Sequence, residues 1–218
     1  MNKENKIHKV WPTFFGEFYN PNHNEIKNDL IIFFKDYMKN KTSRKSLGEN
    51  YKLFESEYDL HNYKNPAFIK LLEEFIMKGF LTMTKEANKN EVSKLDKKTK
   101  FKVIIKDSWF IHYEKEGFVL PHFHGYCSWC CVYYVQLGKD ANSTNGATFF
   151  QKPTPPRATP DFGSEYNKDL MTSFEPEEGK MLIWPYHLMH GSYPYTGDKN
   201  RIIVSANAII NLEKNNKD

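Results

Sequence analysis

The sequence predicts an α+β fold, with helices in the amino-terminal part of the chain and an antiparallel β core after them. Apolar residues recur at three- and four-residue spacing near the amino terminus, a polar connection follows, and short strand-like runs separated by glycine, proline and asparagine fill the rest. A chain of 218 residues can bury one substantial core. We therefore predict a single domain over 1–218, in which 1–100 is mainly helical support and 101–218 is the β core that carries the site.

The amino-terminal part is predicted to form two amphipathic helices. The first covers 24–38, where the apolar residues recur with helical periodicity. The second begins at Pro66, with Asn65 placed to cap it, and continues towards Ala87. From 88 to 100 the composition turns to lysine, asparagine and serine, which is typical of an exposed connection that buries little.

The β core is predicted from six short runs with strand-like composition. They are 101–105, 108–113, 130–137, 147–150, 180–184 and 201–210. The stretch 153–168 contains four prolines, which excludes a central strand and indicates a long loop. A long loop in a compact domain fits either a lid over a site or a plain surface excursion, and the sequence leaves both open.

Charge and hydropathy narrow the class of partner. The formal net charge is only +4 and the lysines are scattered among acidic and asparagine-rich stretches, so nucleic acid is not an expected partner. The apolar runs are far shorter than the roughly 20 residues that span a bilayer, and 1–9 lacks an apolar secretion segment. We expect a cytoplasmic protein with no membrane partner, and a homodimer is compatible with the sequence without being specified by it.

Three cysteines lie close together, at Cys127, Cys130 and Cys131. A structural zinc site draws two ligand pairs from separated positions, and no second pair follows at that spacing. The residues 130, 132 and 134 alternate with 131, 133 and 135 as the two faces of a strand do. We therefore interpret the cysteines as buried free thiols on a strand, in preference to metal ligands.

Three histidines carry the candidate chemistry. His122 and His124 lie two residues apart at a strand edge, so both imidazoles project to the same side. His190 follows Trp184 and Pro185, where a strand passes into a turn. A barrel can bring these positions together at its mouth, and iron oxygenases use ligands from two strands that leave coordination positions open.

Arg201 opens an apolar strand, where a buried guanidinium needs an anion. Its planar fork matches a carboxylate bidentately, and 2-oxoglutarate offers a distal carboxylate while its keto acid end chelates a metal. Each histidine or arginine alone is more often an ordinary surface or core residue. Only the ordered set of three histidines followed by this arginine indicates a 2-oxoglutarate site.

The ordered set resembles the 2-oxoglutarate- and Fe(II)-dependent oxygenase family of bacteria and their phages, relatives of the prolyl hydroxylases. The resemblance covers nearly the whole chain. It is carried by the segments 108–110, 121–124, 132–135, 146–150, 178–180, 185–190 and 201–207, and more loosely by 11–13, 58–61 and 66–76.

This resemblance implies a double-stranded β-helix, the jelly-roll barrel of cupins, with Fe(II), 2-oxoglutarate and O2 as cofactor and cosubstrates. It implies that His122 and His190 bind iron and that Arg201 anchors the distal carboxylate. Tyr134 and Ser205 match residues that contact that carboxylate, and a further site-lining tyrosine corresponds to Tyr113. The location it implies is the cytoplasm of a bacterium or of a phage-infected host.

His124 departs from the pattern of most prolyl-hydroxylase relatives, which carry a carboxylate at that position. We favour His124 as a third iron ligand, because imidazole is a good donor for Fe(II); the alternative is that it turns away and leaves a position open. The predicted activity is oxidative decarboxylation of 2-oxoglutarate to succinate coupled to hydroxylation of a C–H bond in a small-molecule or peptidyl substrate. The alternatives are a three-histidine cupin-like dioxygenase that does not use 2-oxoglutarate and a barrel that binds a metal or small acid without catalysis.

Overall fold

The computed structural model describes residues 12–44, 51–159 and 161–213. The predicted polar start at 1–9, Trp11 and Pro160 lie outside these ranges. The helices are α1 (His23–Asn40), α2 (Pro66–Leu71), α3 (Met77–Ala87) and α4 (Lys89–Val92), and a π-helical segment, Leu72–Ile76, joins α2 to α3. The strands are β1 (Gly16–Tyr19), β2 (Leu53–Glu55), β3 (Phe101–Tyr113), β4 (Val119–His122), β5 (Trp129–Gln136), β6 (Thr148–Gln151), β7 (Met171–Ser173), β8 (Lys180–Pro185), β9 (His190–Ser192) and β10 (Arg201–Leu212).

The two predicted amphipathic helices are confirmed. The buried residues of α1 recur at three- or four-residue spacing, and the α2 start is capped by Asn65, whose side-chain oxygen accepts a hydrogen bond from the Phe68 backbone N–H at 3.0 Å. The connection 88–100 is not wholly irregular, because it contains the short helix α4, which buries none of its residues. No helix in the described part of the chain has both the length and the apolar content needed to cross a membrane.

The strands form two antiparallel sheets that face each other as a double-stranded β-helix, as expected. The larger sheet has the order β1-β8-β5-β10-β3-β2 and the smaller sheet the order β4-β9-β6-β7. The runs predicted at 101–105 and 108–113 are one strand, β3. Its pairing with β10 changes register between Ile105 and Asp107. Two strands of the amino-terminal part, β1 and β2, extend the larger sheet at its edges, so this part is less purely helical than predicted.

The alternation predicted for β5 separates two cores. Its residues 130, 132 and 134 face the smaller sheet and line the barrel interior, whereas 131, 133 and 135 face the helices. All three cysteines are free thiols and buried, as predicted, but only Cys130 and Cys131 lie on a strand, because β5 begins at Trp129 and Cys127 precedes it. The helices therefore cover the outer face of the larger sheet and leave its inner face to build a site.

We expect Phe110→Ala to destabilise the fold by about 3–5 kcal/mol, because it removes a buried ring from the core between helices and sheet. Phe110 is fully buried and stacks on Phe34 at a ring-centroid distance of 4.3 Å. Urea unfolding followed by circular dichroism measures the loss. Phe162→Ala is the matched control, since this ring is 91% exposed and its removal should change stability by less than about 0.5 kcal/mol. Equal losses in the two variants would contradict the assignment of the core.

Candidate active site

The structure brings the three predicted histidines together at one end of the barrel. His122 ends β4 and His190 begins β9, and the two residues are direct partners in the antiparallel pairing of these strands. His124 follows in the loop after β4. The ring-centroid distances are 4.3 Å between His122 and His190, 4.9 Å between His124 and His190, and 5.2 Å between His122 and His124. One nitrogen of each ring lies within 4.8 Å of the others, which is close enough for a single ion to be shared.

Backbone carbonyls orient two of the rings. His122 Nδ1 lies 2.9 Å from the Leu120 carbonyl oxygen, and His190 Nδ1 lies 2.9 Å from the Leu188 carbonyl oxygen. A carbonyl oxygen can only accept, so both Nδ1 atoms carry the proton. In the neutral rings the lone pair is then on Nε2, which is the arrangement a metal-binding histidine needs.

The third ring is oriented by two side chains that the sequence analysis assigned no role. His124 Nδ1 lies 2.6 Å from Asn207 Oδ1, and Asn207 Nδ2 donates to Asp107 Oδ2 at 3.0 Å. Because the Asp107 carboxylate can only accept, it fixes which end of the Asn207 amide faces His124. His124 Nδ1 must therefore donate, and its Nε2 also presents a lone pair.

Two of these lone pairs face each other. His124 Nε2 lies 3.2 Å from His122 Nε2, a distance at which a cation must bridge them. A proton is disfavoured there, because burial lowers the pKa of His124 to about 4, and burial also holds the pKa of His190 well below its usual range. Two imidazole nitrogens at right angles on one metal, each about 2.1 Å away, are about 3.0 Å apart. The donor set therefore fits a divalent transition metal better than it fits a proton.

Arg201 is a buried cation, and two of its three guanidinium nitrogens have no hydrogen-bond acceptor in the described part of the chain. Its side chain begins β10, is only 1% exposed and lines the same cavity as the histidines. Tyr113 and Tyr134 lie beside the guanidinium, with ring centroids 4.2 and 5.5 Å from its carbon. Among the described residues, Nε and Nη1 find no acceptor. A buried, unpaired guanidinium is costly, so this position is built to receive an anion such as a carboxylate.

The predicted carboxylate contacts are placed unequally around Arg201. Tyr113 and Ser205 line the cavity. Tyr134 is fully buried, and its hydroxyl donates to Thr148 Oγ1 at 3.0 Å while accepting from the Thr148 backbone N–H at 3.2 Å. Tyr134 could donate to a ligand only if its hydroxyl gave up the hydrogen bond that it donates to Thr148 Oγ1. Thr148 does line the cavity, and its own hydroxyl hydrogen is left available for an anion.

The cavity that joins these groups has a volume of about 360 Å³, within the range of ligand sites, about 300–1,000 Å³. It extends from Arg201 to the three histidines and opens past Phe123, whose side chain is 65% exposed. Trp184 packs edge-on against His190 at a centroid distance of 4.6 Å and holds that ring in place. One cavity is therefore lined by three histidines that could hold a metal ion and by a buried guanidinium that could receive an anion.

Thr148, Asp107 and Asn207 are the functional candidates that sequence reasoning did not assign. Thr148 and Asn207 lie in the segments 146–150 and 201–207 of the resemblance, and this was the signal that the sequence offered for them. Its contact with His124 joins residues 83 positions apart and its contact with Asp107 joins residues 100 positions apart. No local pattern predicts such pairs.

Comparisons with known proteins agree with this geometry. Residues 107–207 match the 2OG-Fe(II) oxygenase family. No curated protein sequence matches the chain. A prolyl-4-hydroxylase from Pseudomonas putida is similar over 89% of this chain and 91% of its own length, at 10% identity and a TM-score of 0.55.

Two bacterial proteins from Streptomyces are also similar in structure. AviO1 from Streptomyces viridochromogenes Tue57 has 12% identity and a TM-score of 0.57, and 89% of each chain is covered. HygX from Streptomyces hygroscopicus, solved with nickel and 2-oxoglutarate bound, has 10% identity and a TM-score of 0.58, with 90% of this chain and 82% of that chain covered. At such identities these structures show that the fold is shared, and the double-stranded β-helix is thereby confirmed.

Proposed function

We propose that this chain is a 2-oxoglutarate- and Fe(II)-dependent oxygenase whose iron is held by His122, His124 and His190. All three histidines lie within residues 107–207, the part of the chain that matches this family. The main support is the distance of 3.2 Å between His122 Nε2 and His124 Nε2. Both atoms have a lone pair, because the Nδ1 atom of each ring donates a hydrogen bond to another acceptor. His190 completes the set from β9. Bound Fe(II) supplies the open coordination positions and the oxygen chemistry by which 2-oxoglutarate becomes succinate and carbon dioxide and a substrate C–H bond becomes C–OH.

The protein's own residues bind and orient the cosubstrate. The Arg201 guanidinium, which lines the cavity and has two nitrogens without an acceptor among the described residues, donates to the distal carboxylate, and the five-carbon chain extends from there towards the histidines. Thr148 donates its free hydroxyl hydrogen to the same carboxylate, while Tyr134 holds Thr148 in position. Tyr113 covers the guanidinium face and keeps water from it, which strengthens the ion pair.

The choice between the three-histidine oxygenase and a cupin-like dioxygenase that needs no 2-oxoglutarate depends on Arg201. A site without a diacid cosubstrate has no use for a buried cation that lines the cavity and has two nitrogens without an acceptor among the described residues. The substrate is proposed to be a small molecule or a peptidyl group that enters past Phe123, beside Trp109 and Tyr58 on the cavity wall.

The proposed function is tested by succinate release. The iron-loaded protein in air, with 2-oxoglutarate and candidate substrates, should form succinate and carbon dioxide in equal amounts, and both should depend on Fe(II). Screening compares free amino acids, proline-containing peptides and small metabolites. Binding of 2-oxoglutarate without succinate formation under any substrate would favour a non-catalytic barrel, and turnover of a substrate without 2-oxoglutarate would favour the cupin-like activity.

We expect Asn207→Ala to weaken Fe(II) binding by about 10–100-fold, because His124 loses the acceptor that fixes its tautomer and its ring orientation. Calorimetric titration with Fe(II) under anaerobic conditions measures the change. Asn211→Ala is the matched control, since Asn211 is an exposed asparagine on the same strand. Unchanged Fe(II) affinity in Asn207→Ala would mean that His124 does not depend on this bond.

A further inference from the structure

Two of the three cysteines lie beside the iron ligand His124, and the mechanism does not use them. Cys127 Sγ and Cys130 Sγ are 3.5 Å apart, and both residues are buried. A ring nitrogen of His124 and the two sulfur atoms all lie within 4.8 Å of one another. From the sequence these cysteines are expected to be buried thiols rather than metal ligands, and the structure places two of them beside a histidine.

The position of Cys130 explains this proximity. In β5 it faces the barrel interior, and it is the direct partner of Asn207 on β10, the residue that hydrogen-bonds His124. Cys127 lies in the turn before β5 and reaches the same interior core. Cys131, by contrast, points to the other face of β5 and packs among the helices. Only the first two thiols therefore share an environment with the histidine.

The spacing of the two sulfur atoms suits a tetrahedral metal ion. Two thiolates bound at about 2.3 Å to one tetrahedral ion are about 3.8 Å apart. The observed 3.5 Å would need to open by only a few tenths of an ångström. Two cysteines separated by two residues, with an imidazole as third donor, are also a ligand combination typical of zinc.

We propose that Cys127, Cys130 and His124 form a second metal site, for a thiophilic ion such as Zn²⁺, that shares His124 with the iron site. Binding releases the two thiol protons, so the two thiolates balance the double charge of the ion. Thiolates favour Zn²⁺ over Fe²⁺, whereas imidazoles accept both. The metal site stands without the proposed function; only its competition with iron rests on that function.

Cobalt(II) is the probe that separates the two sites, because thiolate ligands add an intense near-ultraviolet charge-transfer absorption that imidazole ligands do not give. The full chain is titrated with Co²⁺ under reducing, anaerobic conditions. We expect the thiolate absorption in wild type and in His122→Ala, which removes an iron ligand but keeps the second site. We expect its loss in Cys127→Ser/Cys130→Ser and its retention in Cys131→Ser, the control for replacing a buried cysteine.

Competition is measured as the Co²⁺ thiolate absorption with and without excess Fe(II) added first. We expect Fe(II) to remove most of this absorption in wild type and to leave it in His122→Ala, whose iron site lacks a ligand but whose second site is intact. Absence of the thiolate absorption in both wild type and His122→Ala would overturn the proposal and leave an ordinary hydrogen-bonded thiol pair. Equal loss of the absorption on adding Fe(II) to both proteins would overturn the sharing of His124. A failed succinate assay with the thiolate absorption present would instead count against the proposed function alone.

Discussion

Arg201→Ala should weaken 2-oxoglutarate binding by more than about 100-fold, because it removes the buried guanidinium that lines the cavity and has two nitrogens without an acceptor among the described residues. A charged, buried hydrogen-bonded pair that loses one partner costs about 2–5 kcal/mol, and each 1.4 kcal/mol is ten-fold in Kd. Calorimetric titration of the iron-loaded protein in the absence of oxygen measures the effect. Arg201→Lys keeps the charge but loses the fork, so it should recover only part of the affinity.

A further substitution, Arg201→Met, separates a role of Arg201 in binding from a role in stabilising the fold. A buried guanidinium that is unpaired without cosubstrate contributes little to the fold, so Arg201→Met should keep the melting temperature of the apo-protein or raise it. Added 2-oxoglutarate should raise the melting temperature of the iron-loaded wild type and leave that of Arg201→Met unchanged. Arg157→Ala is the control, since this guanidinium is paired with Glu165 in the proline-rich loop. Undiminished 2-oxoglutarate binding in Arg201→Met would contradict the assignment.

His124→Ala is expected to lower Fe(II) affinity at least about 100-fold, because even groups that only support a ligand are worth about 10–100-fold. His124→Asp should retain iron, since it restores the arrangement of two histidines and one carboxylate. His187→Ala is the matched control, an exposed histidine three residues before His190. If His124 instead turned away from the metal, His124→Ala would bind iron as well as wild type does.

The site was predictable to the extent that its chemistry lies in local patterns. The ordered set of three histidines and one arginine, with its resemblance to the oxygenase family, predicts that these four residues line one cavity, and they do, although His124 lies in the loop after β4 and not on the strand itself. The orientation of the rings did not follow from the sequence. It depends on Leu120, Leu188 and Asn207 as acceptors, and the last of these contacts is made only when β10 lies beside β5 and β3.

The fold, like the orientation of the histidine rings, was predictable only where the sequence has a local pattern. Long amphipathic helices and long strands were predicted, but β1, β2, β7 and β9 are three or four residues long, too short for alternation to show. Each is fixed by the neighbouring strand that pairs with it. The predicted single domain, the absence of nucleic-acid and membrane partners and the compatibility with a homodimer stay predictions.

An anaerobic titration of the apo-protein with Fe(II) and then 2-oxoglutarate, followed by visible absorption, tests whether three histidines hold an iron ion to which 2-oxoglutarate is anchored through Arg201. The proteins compared are wild type, His124→Ala and Arg201→Ala. We expect a weak visible charge-transfer band in wild type, as a keto acid chelated to Fe(II) gives, and a diminished band in both variants. A wild-type protein that binds iron and shows no such band would contradict this arrangement of the site.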